Sequence, residues 1–149
     1  MMRVLLVEDN PGDVDLVAEG LEESPLPVEL AVARDGVEAL SWLGLRRGAE
    51  PPEIPSLIIL DLNLPRRNGW QVLEEIRRDS EFFRVPVVVL TSSDAAEDID
   101  ACYDRGANCY LTKPIDLKMY MSVVRHIEAF WLHLVALPGV GGGRPRREG

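Results

Sequence analysis

Apolar and polar positions along this chain keep two rhythms that alternate. Short apolar runs of strand length occur at Arg3 to Glu8 (RVLLVE), Val28 to Ala33 (VELAVA), Leu57 to Asp61 (LIILD), Val85 to Thr91 (VPVVVLT) and Cys109 to Thr112 (CYLT). Between them lie stretches with helical spacing. One carries Val14, Leu16, Val17 and Leu21 and stops at Ser24-Pro25, and the next runs from Gly36 to Leu43. A third covers Trp70 to Arg78, and a fourth covers Asp94 to Arg105 and ends at Gly106, a residue suited to helix termination. Asp116 caps a last helix, expected to run to about Leu137. A loop with Pro51, Pro52 and Pro55, from Gly44 to Ser56, is long for such a connection.

Five strand-helix units in alternation predict an α/β fold with a parallel sheet covered by helices on both faces, because right-handed crossovers must pack back onto it. The common doubly wound order for five strands, 2-1-3-4-5, sets strands one and three side by side at the switch point. Glu8 and Asp9 then end strand one, Asp61 ends strand three, Thr91 ends strand four, and Lys113 follows strand five. All five are expected in one crevice. Each alone has a plainer reading, as a helix cap or a solvated lysine.

Composition narrows the partners. The 149 residues, 46% hydrophobic and 28% charged, suit one domain with a sizeable core. A net charge of -9 and a pI near 4.7 argue against a sequence-independent grip on nucleic acid or on an anionic membrane. Cys102 and Cys109 lie outside any metal-ligand spacing and read as reduced thiols, which fits the cytoplasm. No stretch approaches the ~20 apolar residues of a membrane span, and the first ten residues lack a signal-peptide core.

Three carboxylates in one crevice repel, at about 4 kcal/mol for each like-charged pair ~4 Å apart at an effective dielectric near 20. A divalent cation with oxygen ligands relieves this, and Mg²⁺ suits one or two direct carboxylates, a carbonyl and retained waters. With Lys113 alongside, the layout favours attack by an Asp61 oxygen on phosphorus, giving an aspartyl phosphate.

Glu8-Asp9, Asp61, Thr91, Tyr110 and Lys113-Pro114, in this order and each at the end of its unit, resemble the receiver domain of two-component response regulators, a flavodoxin-like fold. The resemblance covers about residues 3 to 130. It implies Asp61 as phosphoacceptor from a histidine kinase, Asp9 and Asp61 as direct Mg²⁺ ligands, Glu8 acting through water, and Asn63 lending its backbone carbonyl. Lys113 and Thr91 would contact phosphoryl oxygens, with Thr91 and Tyr110 as the switch pair, Tyr110 turning inward once Thr91 has moved. The segments DGVEAL, LDLNLPRRNG, VPVVVLTSSDAAEDI, GANCYLTKPIDL and IEAFWLHLVALP are similar to single-domain regulators that partner phytochromes, which implies a phytochrome-type sensor kinase.

The last helix continues past Ile127 with Phe130, Trp131, Leu132, Leu134, Val135 and Leu137, an apolar patch expected to be exposed. This predicts a homodimer through the face of the fourth helix, fifth strand and fifth helix, with Tyr110, Phe130, Trp131, Leu134 and Val135 at the interface; the alternative is a tail that folds back on its own domain. His126 and His133 fall on this helix, away from the crevice. Residues 1–137 are read as the receiver unit and 138–149 as a disordered tail, so output is expected through a downstream phosphotransfer or target protein. Three other readings compete. A phosphatase of the haloacid-dehalogenase kind would want an acid where Asn63 stands, a flavin carrier would be repelled by Glu8-Asp9, and a dimerisation module without phosphorylation would not need an intact site.

Overall fold

The computed structural model describes residues 2–47, 54–65 and 68–138. Five strands, β1 (Met2–Val7), β2 (Val28–Ala33), β3 (Leu57–Leu60), β4 (Val87–Thr91) and β5 (Cys109–Thr112), form one parallel sheet in the order β2-β1-β3-β4-β5. Five α-helices cover it: α1 (Pro11–Glu22), α2 (Gly36–Arg47), α3 (Gly69–Arg78), α4 (Ala96–Asp104) and α5 (Leu117–Ile127). The doubly wound order expected from the alternation is the order observed.

The period-two pattern of the central strands divides the core into two layers. Leu5, Val7, Ile58, Leu60, Val87 and Val89 point to the side holding Ala39 and Leu43 of α2, Val72, Leu73 and Ile76 of α3 and Cys102 of α4. Val4, Leu6, Leu57, Ile59, Val88 and Leu90 point to the other side, against Val14, Val17 and Leu21 of α1 and Tyr120, Val124 and Ile127 of α5. Every residue of β3 and β4 is buried, so their ends are fixed from both faces. Gly20 lets α1 lie close to α5, since a Cβ there would collide with the Val124 side chain.

Caps set the helix starts beside the crevice. Asn10 accepts from the Asp13 N–H at 3.1 Å with Pro11 opening α1, and Asn68 and Gln71 form a reciprocal capping box at α3. Several boundaries differ from the sequence reading, two of them for a clear local reason. β4 starts at Val87 rather than Val85 because Pro86 has no N–H to give the ladder, although its carbonyl accepts from Ile58. α4 starts at Ala96 rather than Asp94, since the Ser93 hydroxyl turns the chain by accepting from Ala95 N–H and donating to Asp98 at 2.5 Å. The proline-rich loop reads differently at its start, where α2 continues through Arg47; residues 48–53 lie outside the described residues.

The C-terminal segment departs most. After Ile127 the chain continues as a π-helix, Glu128–Leu134, closed by Val135 N–H donating to the Phe130 carbonyl five residues back at 3.0 Å. Ile127 and Leu132 are buried on this segment, and Leu137, in the extended stretch that follows Val135, is buried as well. Of the patch expected to be exposed, Leu132 and Leu137 therefore belong to this domain's own core, and Trp131 packs half-buried against it. Phe130 and Leu134 remain exposed, with Val135 half-buried. The tail expected from residue 138 onward lies, apart from Pro138, outside the described residues.

Candidate functional site

Parallel pairing brings the carboxyl ends of β1, β3, β4 and β5 to one rim. Asp61 follows β3 immediately, and its N–H donates to Val7 at the end of β1. Glu8 and Asp9 follow Val7, Thr91 closes β4, and the Lys113 N–H donates to the Thr91 carbonyl at 2.7 Å. Gly69, the first residue of α3, allows the helix start to sit under Asp61: a Cβ there would lie 2.5 Å from the Asp61 carbonyl oxygen and 2.6 Å from Leu62 Cα.

Asp61 is buried and surrounded by donors. Its Oδ1 accepts from the Thr91 hydroxyl at 2.8 Å and from Asn63 N–H at 3.1 Å, while Oδ2 accepts from Lys113 Nζ at 3.0 Å. Lys113 also meets Glu8 Oε1 at 2.7 Å and Asp13 Oδ2 at 2.7 Å. Asn10 N–H donates to the second oxygen of Glu8. Asp9 is exposed and stands at the mouth of the crevice.

Charge and burial oppose each other here. Burial pulls the Lys113 ammonium toward its neutral form, but hydrogen bonds to Asp13 and Glu8 and the Asp61 charge overcome this, leaving its pKa raised. Burial pushes the Glu8 carboxyl up to about 7; the Lys113 bond opposes the rise and the neighbouring Asp61 charge adds to it. The pocket thus holds more negative charge than one lysine can balance.

The donor set fits a hard divalent cation. One carboxylate oxygen from each of Glu8, Asp9 and Asp61 lies within 4.8 Å of the others, two of the residues buried and the third open to solvent. Cys102 and Cys109 are free and distant from this chemistry, with burial pushing the Cys102 thiol up to about 11.

The structure brings together the five residues that end the strands. Tyr110, half-buried on β5, donates its hydroxyl to the Ser93 carbonyl at 2.7 Å, just beyond Thr91. Asn63 is exposed and reaches Asp61 through its N–H. Two residues of the site were missed by the sequence reading. Asp13, one turn into α1, could have been found as an acid on the first turn following a strand-end acidic pair, but its partner is 100 residues away. Tyr120 of α5 is buried beside the cluster, and its hydroxyl is, among the described residues, the buried side-chain polar atom without a hydrogen-bond partner. His133 lies away from the crevice, contacting Glu128 and, at 3.1 Å, Ser24. Among the described residues no helix is long and apolar enough to cross a membrane.

Residues 4–125 match the family model for the response regulator receiver domain. The chain is 45% identical over 135 residues to response regulator Rcp1 of Synechocystis sp., covering 91% of this chain and 92% of that protein. Among solved structures it is similar to the phosphorylated cyanobacterial phytochrome response regulator RcpA, at 42% identity and a TM-score of 0.87, covering 93% of this chain and 99% of that one. It is equally similar in shape to the Mn²⁺-bound form of Rcp1, at 44% identity and a TM-score of 0.87, covering 93% of this chain and all of that one, 100%.

Proposed function

The chain belongs to the response regulator receiver family, and from that premise we propose that Asp61 accepts a phosphoryl group from a histidine kinase, one of phytochrome type, and passes the signal on through protein contacts. The carrying observation is the Asp61 carboxylate itself, held between the Thr91 hydroxyl and the Lys113 ammonium beside Glu8 and Asp9. In the transfer, an Asp61 oxygen forms a bond to phosphorus as the phosphorus–nitrogen bond of a phosphohistidine breaks, and the electron pair leaves with the imidazole nitrogen. Lys113 and Thr91 lie close enough to Asp61 to turn their N–H and O–H donors to phosphoryl oxygens.

Asp9 and Asp61 are the direct ligands for Mg²⁺ in this reading, with Glu8 acting through water and Asn63 through its carbonyl. Bound there, Mg²⁺ supplies neutralising charge for the phosphoryl oxygens. The same residues assist hydrolysis of the aspartyl phosphate, so the protein is a phosphoacceptor that helps make and remove its own modification. Thr91 and Tyr110 form the switch that carries the change to the face of α4, β5 and α5, where a second copy docks. A cytoplasmic location and a downstream phosphotransfer or target protein complete the reading, and the phytochrome-type kinase is supported by likeness to Rcp1 and RcpA.

Acetyl phosphate and Mg²⁺ followed by intact mass test it. Wild type gains one phosphoryl group and Asp61→Asn gains none; equal gain in both proteins would place the acceptor elsewhere.

A further inference from the structure

The three carboxylates around Lys113 are not equivalent. Glu8 and Asp61 also belong, with Asp9, to the cluster of oxygens suited to a divalent cation. Asp13 stands outside that cluster, on the first turn of α1, with Oδ2 at 2.7 Å from Lys113 Nζ. An ammonium has three N–H donors, and Glu8, Asp13 and Asp61 occupy all three. When Glu8 and Asp61 serve cation binding and phosphoryl acceptance, Asp13 is the anion still free to hold the lysine.

We propose that Asp13 is a positioning residue: its carboxylate keeps the Lys113 ammonium over the crevice, so that Lys113 can turn one N–H to a phosphoryl oxygen without losing its place. This rests on the phosphoacceptor reading above and deepens it. The helix start makes Asp13 a firm anchor, because Pro11 opens the first turn and the Asn10 side chain accepts the Asp13 N–H. Lys113 needs one, having a flexible four-carbon stem that samples many rotamers when its partners are otherwise engaged. Tyr120 of α5, only 3% exposed, lies near both Asp13 and Lys113.

Asp13→Asn keeps the shape and the first-turn N–H and removes the charge. Phosphorylation by acetyl phosphate is expected to slow by about tenfold, in the range that loss of orientation costs, while Mg²⁺ affinity measured by calorimetry changes less than about twofold, a split that places the loss in orientation. Asp13→Glu restores most of the rate. In a Lys113→Met background the Asp13→Asn change adds no further loss, as coupling through one partner requires. In metal-free protein, the ¹H–¹⁵N signal of the Lys113 ammonium is sharp in wild type and broadened in Asp13→Asn.

A wild type that takes no phosphoryl overturns the acceptor reading and this inference with it. A wild type that does, beside an Asp13→Asn variant of equal rate, overturns the role of Asp13 alone. So does an equal loss in the Lys113→Met background, or an ammonium signal unchanged by the substitution.

Discussion

Tyr110 reaches from β5 and donates its hydroxyl to the carbonyl oxygen of Ser93 at 2.7 Å. Two residues earlier on the same strand end, Thr91 donates to Asp61. The turn after β4 therefore faces the acidic crevice with one residue and the aromatic ring with another. The Tyr110 backbone N–H is held as well, donating to the Tyr103 hydroxyl of α4 at 3.2 Å. Tyr110→Phe keeps the ring and removes the O–H. The expected cost is about 1 kcal/mol of stability, read as a lower urea midpoint with an unchanged slope. An unchanged midpoint would show that the bond contributes nothing net.

Gly69 carries a second prediction. A methyl group there meets the backbone of Asp61 and Leu62, which cannot move aside as the tip of a flexible side chain could. Gly69→Ala is expected to destabilise the domain by ~1–3 kcal/mol, the usual cost of overpacking. Because the clash falls on Asp61 itself, divalent-cation affinity falls too. Calorimetric titration with Mg²⁺ on the variant checks this, and a variant that melts lower yet binds Mg²⁺ as wild type does would separate the packing of α3 from the placement of Asp61.

How much of this was legible in the chain depends on what each residue needs. Asp61, Glu8, Asp9, Thr91 and Lys113 each end a short apolar run, and parallel alternation alone brings such ends together. Gly69 could be read as a turn former, whereas its approach to the Asp61 carbonyl depends on how α3 docks. Asp13 meets Lys113 across two elements packed from opposite ends of the chain, a direction that no local spacing encodes. The expectation that Leu132 and Leu137 are exposed rests on a regular α-helix continuing to Leu137, whereas the chain widens into a π-helix that stops at Leu134 and Leu137 lies in the extended stretch beyond it.

Tyr120 yields a prediction of opposite sign. Its ring fills the layer between β1, β3 and α5, but its hydroxyl is buried without a hydrogen-bond partner, and burial and then the Asp13 charge hold its pKa above the ordinary tyrosine range. A buried unsatisfied hydroxyl costs about 1–3 kcal/mol. Tyr120→Phe removes it without leaving a cavity, so the variant is expected to be more stable than wild type by on the order of 1 kcal/mol. Thermal and urea unfolding both report this. A less stable variant would show that the hydroxyl has a bound partner in solution, and ordered water between it and Asp13 would be the first place to look.

The proposed homodimer must be tested on the side chains that remain available to a partner. Leu132 and Leu137 are buried within the domain, and Trp131 packs on the core while stacking edge-on with Phe130 at 5.4 Å between ring centroids. Phe130 and Leu134 are the exposed pair, at 47% and 74%. A two-fold axis buries both twice, and four such side chains contribute ~6–12 kcal/mol at ~1.5–3 each. That lies within the ~4–15 kcal/mol cost of association, so the dimer is expected to be weak and to dissociate on dilution. Leu134→Glu is the informative change, because it touches only the exposed face, whereas a charge at Trp131 would also disturb the domain's own packing. Light scattering over a concentration series should show wild type shifting toward twice the monomer mass as concentration rises, with Leu134→Glu remaining at the monomer mass throughout. A wild type that stays monomeric at every concentration would remove the dimer from the proposal and leave this face to a different protein.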